Sequence, residues 1–124
     1  MTDGLSDVEA ELLAREPIFR RPEFGSTRAA YLAQTAEDSW EVGASARVHD
    51  REHVVDTLLH RGKVPGDENW EISDVCCRPL ADGRTRSPYR LDEDGRLSRR
   101  LTLWHRDPDG WKILYHRGTL IQDA

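Results

Sequence analysis

The residues of this chain best suited to chemistry gather near its C-terminus. GWKILYHRGT (110–119) begins as an apolar strand pattern and turns over into His116 and Arg117. An imidazole titrates near neutral pH, so His116 can serve as a general base; it can equally hydrogen-bond a neighbouring strand. Arg100 and Arg117 carry planar guanidinium forks that can clamp a carboxylate, or pair with acidic side chains across a sheet. Trp40, Phe24 and Tyr89 have the bulk to line an apolar cavity for a flat ligand, or to pack a core. His49 and His53 bracket Asp50 and Glu52 and raise the question of a metal. Asp50 is better used as a helix N-cap, however, which leaves the two histidines off a common helical face and without a third ligand at suitable spacing. No metal site and no cofactor are expected. No phosphate-cradling glycine loop or nucleophile elbow occurs, which argues against phosphoryl transfer and serine-based hydrolysis.

The elements that position these groups must come from 124 residues, enough for one domain over 1–124. Charged residues make up 33% and the net charge is −5, so the chain has no long-range attraction for nucleic acid or anionic membranes. Arginine pairs occur, but Asp and Glu are interleaved with them, which reads as mixed-sign solvated faces. The acidic N-terminus does not resemble a signal peptide, and no apolar run approaches the ~20 residues of a spanning helix. Cys76 and Cys77 are adjacent, a spacing that suits neither a routine disulfide nor a metal knuckle. Two reduced thiols and a cytoplasmic location are expected.

Ser6 and Glu9 form a capping-box pattern, and Leu5, Val8, Leu12 and Leu13 follow at helical spacing, predicting a helix over about 7–15 that Pro17 limits. Residues 1–6 are expected to be flexible. The segment 17–25 reads as a loop that lies across a core or closes a cavity. Ser26 or Thr27 caps a short second helix, and WEVGASARVHD (40–50) reads as two short strands around a turn. Asp50 caps a third helix bearing Val54, Val55, Leu58 and Leu59, with Gly62 past its end and a breaker at 65–67. From Trp70 the period becomes two. A slip of phase within 70–79 suggests a β-bulge. Further strands are expected over 84–91, 97–106 and 111–119, joined by Asp94-Gly95 and Asp107–Gly110 turns. Helices followed by an antiparallel meander make an α+β chain.

Pairing the last hairpin with Arg106 opposite Trp111 puts Trp104, Thr102 and Arg100 on a face with Ile113, Tyr115 and Arg117. His105 and His116 fall on the other face. One bulge exchanges the assignment, so two pocket linings stay open: Tyr115, Arg117, Thr102 and Arg100, or His116 and His105.

The words AEDSWEVGASARVHDREHV (36–54) and SRRLTLWHRDPDGWKILYHRGT (98–119), with the helix between, resemble the nuclear transport factor 2-like superfamily, which includes SnoaL-like polyketide cyclases and ketosteroid isomerases. The likeness runs from about residue 7 to the C-terminal strand and is nearest to the small bacterial domains of unknown function. Leu101 stands where that pattern has a small hydroxyl residue, and Arg117 where it has Gln. The resemblance implies a cone: a strongly bent sheet wrapped around the N-terminal helix, with a pocket at its open end, and a homodimer through the outer sheet face. It also implies that Asp38 can supply an acid to His116, and that Trp104 and Thr102 stand near the pocket. Three functions remain: a small-molecule-binding module, which is the reading preferred from sequence; a cofactor-free isomerase, cyclase or dehydratase; or a partner-binding domain.

Overall fold

The structure is a computed structural model and describes residues 3–16, 25, 27–43, 46–61 and 69–121. Helix α1 spans Asp3–Leu13. It starts four residues before the expected boundary, so Ser6 lies inside the helix and the capping box is not its N-terminus. Helix α2, Arg28–Ala33, is capped as its sequence requires, with the Thr27 hydroxyl accepting from Ala30 N at 3.1 Å. Helix α3, Arg51–Arg61, follows Asp50, whose Oδ1 accepts from His53 N at 2.8 Å. The expected loop over 17–24, Ser26, Gly62 and the breaker at 65–67 lie outside the described residues, as does Phe24.

Among the described residues seven strands make one sheet: β1 (Thr35–Val42), β2 (Val48–Asp50), β3 (Trp70–Ser73), β4 (Arg78–Ala81), β5 (Arg84–Glu93), β6 (Arg96–Asp107) and β7 (Gly110–Leu120). Their order is β2-β1-β7-β6-β5-β3, with β4 also on β5. The β1–β7 pair is parallel and the others are antiparallel. The segment 40–50 therefore belongs to the main sheet, and β1 begins at Thr35, five residues earlier than its pattern suggests.

The expected bulge within 70–79 is a larger break, since β3 and β4 are separate strands along one edge of β5. The cause is Pro88. Its carbonyl accepts from Cys76 N at 3.3 Å, so its own N position faces that edge and has no hydrogen to offer. The edge chain leaves the ladder there, with Asp74 at φ 56°. Both residues of the Asp94-Gly95 turn have positive φ, 56° and 91°, as a tight hairpin demands.

One sheet face is inner and one outer. Along β5, Thr85, Ser87, Tyr89 and Leu91 are buried while the residues between them are not. Along β6, Ser98, Thr102 and Trp104 are buried. Helix α1 lies over this inner face and buries Leu12 completely against Trp104, Trp111, Ile113 and Cys77. Carboxylates of the helix and of the turn after it also reach the sheet: Glu11 accepts from the Trp111 indole at 2.8 Å and Glu9 from Cys77 N at 3.3 Å, while Glu16, just past the helix, accepts from the Trp104 indole at 3.1 Å. At the other end of the sheet Arg51 donates to Leu32 O at 2.8 Å and to Thr35 Oγ1 at 3.0 Å. An Arg28–Asp56 ion pair also joins α2 to α3.

The last hairpin keeps the expected Arg106–Trp111 pairing, but its register shifts by one: Trp104 pairs with Ile113 and Leu103 with Tyr115, so Leu114 is an extra residue. Before it, Trp111 and Ile113 face inward. After it, His116 and Gly118 do. Inserting one alanine after Leu114 should therefore turn His116 outward and place Arg117 inside, and this variant should lose cooperative thermal unfolding. Leu114→Ala keeps the count and should lower the melting temperature only modestly, both read by circular dichroism.

Candidate functional site

Of the rows that cross the inner face, three bear on the site. Thr85, Trp104 and Ile113 form one, with Thr35 beside Ile113; Tyr89, Arg100 and Gly118 form another. Between them run Ser87, Thr102, His116 and Glu41, each directly opposite the next. This middle row is polar at every position across four strands, and it holds a close imidazole–carboxylate pair. His116 Nδ1 lies 2.8 Å from Glu41 Oε1, with the two side chains only 11% and 24% exposed. Burial by itself raises the Glu41 pKa. The hydrogen bond and charge of His116, with the charges of Arg100 and His49, outweigh that and hold the carboxyl below its ordinary value.

Glu41 has a second neighbourhood. It forms part of the wall of a cleft of about 200 Å³ between β1, β2 and α3, together with His49, His53, Val54, Thr57 and Leu58. The rings of His49 and His53 stack there, 4.3 Å apart and 12° from parallel. Gly43 also borders the cleft; a Cβ on it would come 4.0 Å from the His49 ring, ordinary contact. Glu41 is thus the group that links the buried imidazole to a space open to small molecules. Among the described residues no cluster of three or more His, Cys, Asp or Glu could hold a metal ion.

Glu16 stands deeper, fully enclosed. Burial raises its pKa, opposed by the Thr102 hydroxyl, the charge of His116 and the hydroxyl and indole of Tyr89 and Trp104. Tyr89 is raised well above its ordinary value by burial and by the nearby Glu16 charge. Arg100 is anchored within the fold: it donates to Glu93 Oε1 at 3.1 Å and to Ser98 Oγ at 3.0 Å. Its guanidinium occupies the space a side chain at Gly118 would take, 3.1 Å from an added Cβ.

The expected site residues divide by face. His116, Thr102, Tyr89, Trp104 and Arg100 come together on the inner face. Trp104 is completely buried as a core residue with its N–H on Glu16, and Arg100 is held by Glu93 and is not presented as an open clamp. Tyr115 and Arg117 are placed outside by the Leu114 bulge, and Trp40 is 46% exposed with its ring 4.4 Å from Tyr115. Asp38 is exposed beside the inward Ser39, on the outer side of β1. The partner of His116 is therefore Glu41, three residues further along the strand. Sequence reasoning passed over Glu41 and Glu16. The usable signal for Glu41 was its alternation with Trp40, and for the inward turn of His116 it was the adjacent apolar pair Leu114-Tyr115, which breaks the period of two.

No family model matches this chain, and no curated protein matches it. Solved structures do. A cystatin-like fold protein from Burkholderia xenovorans LB400 superposes with a TM-score of 0.75 at 20% identity, covering 100% of this chain and 96% of the other. A nuclear transport factor 2-like protein from Rhodospirillum rubrum, described as of unknown function in nutrient uptake, gives 0.72 at 17% identity over 90% and 98% of the two chains. A candidate ketosteroid isomerase from Parabacteroides distasonis gives 0.69 at 14% over 90% and 86%. These are likenesses of fold: the chain has the α+β, nuclear transport factor 2-like and cystatin-like architecture. Among its described residues no helix is long and apolar enough to cross a membrane.

The two buried carboxyls predict opposite pH effects. Glu16 is raised from near 4.5 in the fold, so above that pH the folded chain holds its proton longer than the unfolded chain and stability falls as pH rises. Glu16→Gln, which keeps an acceptor for the Trp104 indole, should raise the melting temperature near pH 7, and the gain should vanish below about pH 4.5. Glu41 is lowered, so its contribution is present above that same value and is lost as pH falls through the folded one. Glu41→Gln should destabilise at pH 7 by about 1.5–3 kcal/mol, the worth of a charged hydrogen bond, and much less in acid.

Proposed function

We propose that the cone binds a small, partly apolar ligand through the cleft at Glu41, and that Glu41 and His116 move a proton on it. The reaction class is that of a cofactor-free isomerase, cyclase or dehydratase acting next to a ligand carbonyl. The observation that carries this reading is the His116–Glu41 pair: a base and its orienting partner at 2.8 Å, nearly shut from water, with one member on a cleft wall.

The division of labour follows from position. Glu41 reaches the cleft, so its carboxylate accepts a proton from the carbon beside the carbonyl and returns it to another carbon of the same ligand. No bond is left open and no co-reactant is consumed. His116 holds Glu41 in place through the 2.8 Å contact between them. The apolar walls, Val54 and Leu58, exclude water from one side of the ligand and strengthen the charge interactions inside. A cleft of this size suits a compact ligand and not an extended chain. The isomerase name carried by one solved structure of the same fold supports the class of chemistry without specifying a substrate.

Binding without chemistry is the competing use of the same cleft. The two are separated by incubating the protein with a β,γ-unsaturated cyclic ketone in D₂O and following deuterium uptake and double-bond migration by NMR. Exchange should occur with the wild type and fall by about 10²–10⁴ in Glu41→Gln, with a smaller loss in His116→Gln. Saturable chemical-shift changes with no exchange would leave a binding module only.

A further inference from the structure

The outer face of the sheet carries a charge pattern unlike that of the rest of the chain. Opposite residues of β5, β6 and β7 on that face read Arg84–His105–Lys112 in one row and Arg90–Arg99–Thr119 in another. Between them lie Arg86–Leu103–Tyr115–Trp40 and Pro88–Leu101–Arg117–Val42. Arg78 on β4 stands opposite Arg86. Like charges directly across a ladder repel, yet here they face one another in a molecule whose net charge is −5. The acids of this face stand away from the three central strands or at their ends: Asp74 lies 4.0 Å from Arg99, Glu71 and Asp92 sit opposite each other on β3 and β5, and Asp38 and Asp50 stand on β1 and β2, Asp50 opposite Trp40. Among the described residues Arg84, Arg86, Arg90, Lys112 and Arg117 have no carboxylate in ion-pair range. Two polar nitrogens on the face, Arg86 Nε and His105 Nδ1, are shut from water with no hydrogen-bond partner among the described residues.

We propose that this face docks an acidic protein segment with aliphatic side chains spaced between its carboxylates. The centre of the face is apolar and branched, Leu101, Leu103 and Pro88, with the Trp40 and Tyr115 rings tilted against each other at 51°. Basic rows bound it on both sides. An extended chain alternating carboxylate and aliphatic groups matches both parts at once, the carboxylates neutralising the rows and the aliphatic groups covering the centre. Single-stranded nucleic acid fits less well, because it asks for flat rings free to stack along a groove, and here the two rings are packed on one another. The homodimer implied by the resemblance would set the arginine rows against their own copies. This inference is independent of the proton-transfer reading, since it uses the opposite face.

The test is fluorescence anisotropy of a labelled peptide of alternating Glu and Leu, added to the full chain. Saturable binding that weakens as salt rises is expected. Arg84→Glu with Arg117→Glu, both exposed, should weaken it at least about tenfold without lowering the melting temperature. Arg96→Glu, a single reversal of the same kind at the β5–β6 turn, should leave it within about twofold. Four outcomes overturn the proposal: no binding, binding indifferent to the Arg84 and Arg117 reversals, a labelled oligothymidine bound in preference to the peptide, or a dimer by light scattering that the same reversals dissociate.

Discussion

Everything chemical in this molecule depends on one extra residue in its last strand. A β-strand alternates faces strictly, so a continuous register after Ile113 would send His116 to the outer surface. Leu114 absorbs one position without advancing the pairing. Its cost is local, a missing ladder bond and a bend. Its consequence is global: the imidazole turns inward opposite Glu41 and Thr102, while Tyr115 and Arg117 turn outward. The same insertion brings His116 into the polar band of the interior and Arg117 onto the basic outer face.

The interior tolerates that polar band because most of its charged groups are engaged. A buried charge is expensive unless it is paired and hydrogen-bonded. His116 has Glu41, Arg100 has Glu93 and Ser98, and Glu16 has the Trp104 indole. Helix α1 supplies much of this. Besides burying Leu12, it extends Glu9 and Glu11 to the sheet, and the turn that follows it adds Glu16, so the segment that closes the core also sets its electrostatics. Trp104 and Trp111 serve twice in this arrangement: their rings fill the core and their N–H groups bind carboxylates, as large amphipathic aromatics do.

Position within the fold also separates the roles of groups that look alike in sequence. Arg100 and Arg117 are both strand arginines near the C-terminus, but one is enclosed against Gly118 and Glu93 and the other is in solvent. Asp38 and Glu41 are both acids of β1. Three residues apart on a strand means opposite faces, so only Glu41 meets the imidazole.

The sequence by itself determined the elements whose signals are local. The Thr27 and Asp50 caps, the Asp94-Gly95 and Asp107–Gly110 turns and the period of two after Trp70 were each legible, because caps, turns and alternation are written over a few neighbouring residues. With the ordered words of the chain they were enough for the α+β cone. What tertiary structure decided were the matters that need two distant segments in register: the parallel seating of β1 on β7, the break opposite Pro88, the bulge at Leu114 and the pairing of His116 with Glu41 across 75 residues. The face a side chain occupies is set by the count of residues up to its partner strand, and a single chain read from end to end does not contain that count until the strands have met.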